Sequence, residues 1–123
     1  MKEIARIEQH LSRKDIPMAA RVAGQAIGSD PTDPDLSALN LWVKALAKTL
    51  KPAEVIEQLG LILLDNPDCT RARLFRAKLY KRDNAKLREA VADFEQVLVD
   101  EPNNKDAAAE VRLLRLMVKP GRL

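Results

Sequence analysis

Apolar positions recur along this chain at helical spacing, and the runs they form are cut at three similar places. Residues 93–104, "DFEQVLVDEPNN", place Phe94, Val97 and Leu98 on one helical face and then stop at Glu101-Pro102-Asn103-Asn104. The same stop surrounds Pro31 in "SDPTD" and Pro67 in "DNPDC", so the three prolines are separated by 36 and 35 residues. Proline lacks the amide donor and clashes with the preceding turn, which is why each stop ends a helix.

Seven helices follow from this reading. The first covers residues 2–13, with Ile4, Ile7 and Leu11 as a narrow apolar stripe; the second starts near Pro17 and carries Ala19, Ala20, Ala23, Ala26 and Ile27 to Gly28. Asp33-Pro34 opens a third, with Leu36, Leu39, Trp42, Val43 and Leu46 on its inner face, and Trp42 is expected in the core. Pro52 opens a fourth, in which "LGLILL" (59–64) is expected to be the most buried stretch. The fifth begins near Cys69 or Thr70 and ends at Asp83-Asn84, the sixth covers about 86–100, and the seventh, capped by Asn104, runs over 105–118 to a stop at Pro120-Gly121. Short connections force neighbouring helices to lie antiparallel.

Composition agrees with this class. The chain has 123 residues, 46% of them apolar, yet only one Trp, one Tyr and two Phe, so Ala, Leu and Val must make the core. Such a set suits helix packed closely on helix. The net charge of +3 is a mild basic tilt, too small for a nucleic-acid arm. A single cysteine excludes an internal disulfide framework and fits a reducing compartment. The N-terminus lacks a signal-peptide core and no apolar run is long enough for a membrane span, so a cytoplasmic location without membrane insertion is expected, unless the chain is an excised domain of a larger protein.

The second half of each unit repeats in strict spacing. Ala19-x3-Ala23 precedes Pro31, Val55-x3-Leu59 precedes Pro67, and Ala90-x3-Phe94 precedes Pro102, each by an interval of 12. First halves are looser: Leu39, Trp42, Val43 and Leu46 stand in unit two, Ile4, Ile7, Glu8 and Leu11 in unit one, and Ala77 and Tyr80 fit in unit three, where Arg73 and Arg76 replace apolar residues. With its period near 35 residues the chain resembles the tetratricopeptide repeat (TPR) family over nearly its whole length. The resemblance implies an all-α, right-handed solenoid in a single domain: repeats at about 1–33, 34–69 and 70–104, then a capping helix at 105–118 with Glu110, Arg112 and Arg115 outward.

It also implies a function. Such proteins bind an extended peptide or a partner helix on the concave side, lined by the first helix of each pair. Mapped onto this chain, that side holds Lys2, Arg6, Asn40, Lys44, Lys48, Arg71, Phe75, Lys78, Lys81 and Arg82, a basic groove suited to an acidic protein or peptide partner. Acids on the second helices, Glu54, Glu57, Glu89, Asp93 and Glu95, give the other face the opposite sign. The constellation with which some family members clamp a chaperone tail is not matched, since Ile4 or Ala5 stands where its first lysine belongs and Asn40 and Arg71 match only in part.

The competing reading of the basic stripe is a solvated face of good helix formers. Nucleic-acid binding and self-association through the solenoid ends are the alternative functions. Catalysis has little to use: His10 and Cys69 are the only residues of their kinds and fall on different elements, and no phosphate loop or metal spacing occurs, so no enzyme activity, cofactor or metal is expected.

Overall fold

The structure, a computed structural model, describes residues 2–118. It contains α1 (Lys2–Ser12), α2 (Ile16–Ser29), α3 (Pro34–Leu46), α4 (Pro52–Asp65), α5 (Thr70–Tyr80), a 3₁₀ turn (Asn84–Lys86), α6 (Leu87–Asp100) and α7 (Lys105–Met117). Among the described residues there is no strand, and no helix is long and apolar enough to cross a membrane. The stop at Pro120-Gly121 lies outside the described residues.

Three helix starts, those of α2, α3 and α7, carry a side-chain cap. The Asp15 carboxylate accepts from the Met18 amide at 3.2 Å, with Pro17 in the first turn of α2. Asp33 accepts from Asp35 and Leu36 at 3.0 and 3.2 Å ahead of Pro34, and Asn104 accepts from Ala107 at 2.9 Å. These bonds satisfy amides that a helix N-terminus otherwise leaves without a partner.

The repeat is written in the backbone as well as in the sequence. Asp30, Asn66 and Glu101, each immediately before a turn proline, adopt nearly the same φ/ψ: −143/75, −135/74 and −131/78. Each also closes its helix by donating its amide to the residue four back, Ala26, Ile62 or Val97. A residue before proline is pushed out of the helical region, so one local rule produces the same exit three times.

Turns inside the units fall into two kinds. Lys14 and Lys48 have positive φ, 60 and 62, and the flanking bonds Asp15 N–H to His10 O, Lys14 N–H to Leu11 O, Thr49 N–H to Lys44 O and Lys48 N–H to Ala45 O form Schellman motifs. The third unit instead uses the 3₁₀ turn, with Asp83 accepting from the Ala85 amide at 2.9 Å.

The signature positions of the second helices are sealed: Ala19, Ala23, Val55, Leu59, Ala90 and Phe94 are all buried. The core runs in two clusters, one from Ile4 to Leu79 across α1–α5 and another from Ala77 to Leu114 across α5–α7, so α5 serves both.

Three expectations are corrected by this packing. "LGLILL" is not uniformly buried, because Leu59 and Leu63 face inward while Leu61 and Leu64 are 56% and 78% exposed; among the described residues no helix covers that side of α4. Asp93 is no surface acid but a buried partner of Arg76. Glu110 does not point outward with Arg112 and Arg115, since it is half-buried and ion-paired to Lys81, and the large apolar side chains exposed on α7 are Leu113, Leu116 and Met117.

Candidate binding groove

The α5 sequence places Arg71, Leu74, Phe75, Lys78, Lys81 and Arg82 on neighbouring turns of one side, the side turned to α3 and α7. Two depressions lie along it. One, of about 490 Å³, includes Glu8, Asp35, Arg71, Phe75 and Lys78; the other, of about 460 Å³, includes Trp42, Lys78, Lys81, Arg82, Asp106 and Glu110. They share Leu74 and Lys78, so the first helices of the pairs and α7 together form one surface.

Aromatic rings make its centre. Phe75 stacks on Trp42 with ring centroids 5.1 Å apart and planes 4° from parallel. The Lys78 ammonium lies 5.6 Å from the Trp42 centroid and 5.9 Å from that of Phe75, and the Arg82 guanidinium lies 5.5 Å from Trp42. Each cation meets the negative face of a ring, an attraction of roughly 0.5–1 kcal/mol at a wet site. Trp42, half-buried, packs against the core cluster as the sequence pattern suggests and also forms the groove wall.

The cations differ in how far they are already satisfied. Arg71 reaches Glu8 at 3.4 Å and Asp35 at 3.7 Å, and Lys81 is held by Glu110. Neither Lys78 nor Arg82 has an ion pair among the described residues. Burial pushes the Lys78 ammonium below the usual lysine range, against the opposing pull of Asp106 and Glu110 and with the help of Lys81. A carboxylate brought to Lys78 thus meets a charge that is poorly hydrated and unpaired.

The ten groove residues expected from sequence are not gathered at one place. Arg71, Phe75 and Lys78 on α5 come together with Lys81 and Arg82 in the turn that follows it. Asn40 and Lys44 line a separate depression of about 320 Å³ with Ile27, Leu61 and Ile62, toward α2 and α4, so Lys44 and Lys78 do not stand side by side. Their separation follows from α3, where Trp42 turns toward α5 and residue 44, two positions on, turns away. Lys2 and Arg6 are exposed on α1 and Lys48 in the turn after α3, outside both α5 depressions. Sequence reasoning missed the acids Glu8, Asp35, Asp106 and Glu110; only the last two carried a signal, an i, i+4 acid pair on one helix face.

His10 is half-buried on α1, and Cys69, buried at the start of α5, directs its thiol to Asp35 at 3.5 Å.

Among solved structures the chain is similar to the second TPR domain of the human RPAP3 protein, determined by NMR in complex with the HSP70 peptide SGPTIEEVD. The TM-score is 0.65 and the identity 25%, over 92% of this chain and 92% of that one. No protein-family model matches the sequence, and no curated protein matches it. The helix order, the triple proline exit and this likeness define an all-helical, TPR-like solenoid.

Proposed function

We propose that this chain is a protein-interaction module that takes an extended acidic segment of a partner protein along α5, and that it works by binding and not by catalysis. The observation that carries the reading is that Lys78, over Trp42 and Phe75, and Arg82, over Trp42, have no ion pair among the described residues. The similar RPAP3 domain holds a peptide with two glutamates and an aspartate, which supports an acidic ligand class. Acids within the same groove, Glu8, Asp35, Asp106 and Glu110, disfavour a continuous phosphate backbone and so weigh against nucleic acid.

Fluorescence anisotropy with labelled, C-terminally amidated SGPTIEEVD, which offers its side-chain carboxylates and no free tail, and the equally amidated SGPTIQQVN tests this reading. Only the acidic peptide is expected to bind, more weakly as the Debye length shrinks below about 8 Å. Lys78→Glu is expected to weaken it at least about tenfold, in the range of truncating a desolvated charge contact, and Lys44→Glu to leave it unchanged. Equal binding of both peptides, or equal loss from both variants, would sink the reading.

One observation favours a second reading, self-association through the C-terminal end. Leu113 and Leu116 are 55% and 86% exposed on α7, and a solenoid end without a polar outer face tends to stack on a copy. Sedimentation velocity would then show a dimer that Leu116→Lys disperses.

A further inference from the structure

The α7 helix presents acids to the groove in a ligand-like position. Asp106 and Glu110 are one turn apart on the same helix face, an arrangement that costs an isolated helix a few tenths of a kcal/mol through like-charge repulsion. Both line the depression that holds Lys78, Lys81 and Arg82, and Glu110 is ion-paired to Lys81. On the next turns the same face of α7 continues with apolar Leu113 and Met117, while Arg112 and Arg115 lie on its other faces, so the acids of this face are confined to the stretch beside the cations.

We propose that Glu110, seconded by Asp106, occupies the place on Lys81 that a carboxylate of an acidic partner segment takes, so that the two acids set how much negative charge a partner must bring to be bound. The inference rests on the groove reading above and names the residues that tune its selectivity. A partner with one carboxylate engages Lys78 and Arg82 alone. A partner with several also displaces Glu110, exchanging one exposed ion pair for another, and gains from the flexible lysine stem that can turn toward it. Removing the Glu110 charge then frees Lys81 for every acidic ligand and lowers the charge needed.

The probe is a fluorescein-labelled, C-terminally amidated peptide of alternating glutamate and leucine, with a glutamine–leucine peptide as its neutral control. Glu110→Gln keeps the shape of the side chain and removes its charge. It is expected to bind the acidic probe about two- to fivefold more tightly than wild type, the range equivalent to one exposed ion pair. Asp106→Asn is expected to shift affinity the same way by less, and neither variant to change binding of the neutral peptide. Unchanged or weaker binding by Glu110→Gln, with Lys78→Glu still abolishing it, would overturn this inference and leave the groove reading standing. Failure of the acidic probe to bind either wild type or Glu110→Gln would overturn the groove reading and this inference with it.

Discussion

Arg76 and Asp93 form a two-pronged ion pair across the α5–α6 interface, with Nε donating to Oδ2 at 2.7 Å and Nη2 to Oδ1 at 2.8 Å. Asp93 is the only charged residue among the described ones that is buried. The carboxylate raises the hold of Arg76 on its proton, outweighing the effect of burial, and the guanidinium also lies 5.8 Å from the Tyr80 ring. An arginine thus stands where the repeat pattern calls for an apolar residue, because the next helix supplies its counter-charge.

Removing one partner leaves the other without its match. Asp93→Ala is expected to destabilise the fold by about 2 to 4 kcal/mol, between a charge-assisted hydrogen bond and a fully buried pair. The double variant Arg76→Met with Asp93→Leu is expected to recover most of that loss. Urea denaturation of wild type, Arg76→Met, Asp93→Leu and the double variant closes the cycle, and strict additivity of the two single changes would mean that the pair is not coupled.

This pair also shows where sequence reading reaches its limit. The second helices were legible because Ala90-x3-Phe94 and its equivalents reach the core by spacing alone, and the turn prolines fix the register. The first helices were less legible: Arg76 is apolar in role but charged in kind, and only its distant partner reveals this. Trp42 shares the periodicity of Leu39 and Leu46 and packs against the core with them, yet the stripe on α3 is wider than the fully buried seam and its edge also forms the groove, which spacing alone does not reveal. The basic stripe scattered for the same reason: periodicity places a residue on a face of its own helix but does not say which neighbour that face meets.

Lys48 occupies a left-handed backbone position, φ 62, in the Schellman turn after α3. A side chain there is strained by its Cβ, whereas glycine adopts the conformation freely. Lys48→Gly is expected to raise stability by a few tenths to about 1 kcal/mol, the relief of strain exceeding the added freedom of the unfolded chain. The same change at Thr49, outside the left-handed region, is expected to destabilise. Thermal melts that rank the two variants the other way would remove the strain argument.

Cys69 is expected to give the folded protein a pH-dependent term. Burial pushes its thiol above the usual range, and Asp35 adds to the effect, while the Ala72 amide and Arg71 oppose it. A folded-state pKa above the unfolded one means that the native state holds its proton longer. Its contribution is full below the unfolded value of about 8.5 and is lost as pH rises through the folded value. The stability difference between wild type and Cys69→Ala, measured by urea titration from pH 7 upward, should therefore shrink as pH rises above about 8.5; groups such as Lys78 titrate in both proteins and cancel. A difference that is flat with pH would place the thiol at its ordinary value.

Trp42 is the single tryptophan of the chain and reports the charge around it. With Lys78 and Arg82 at 5.6 and 5.5 Å from its ring, the local potential attracts anions and repels cations. Iodide is accordingly expected to quench its fluorescence more efficiently than caesium, each taken relative to neutral acrylamide, with the contrast fading as ionic strength rises. Lys78→Glu combined with Arg82→Glu should reverse the order of the two ions while leaving acrylamide quenching nearly unchanged. Equal quenching by both ions in the wild type would mean that the cations do not stay over the ring in solution, and the anchoring role given to Lys78 and Arg82 would fall with it.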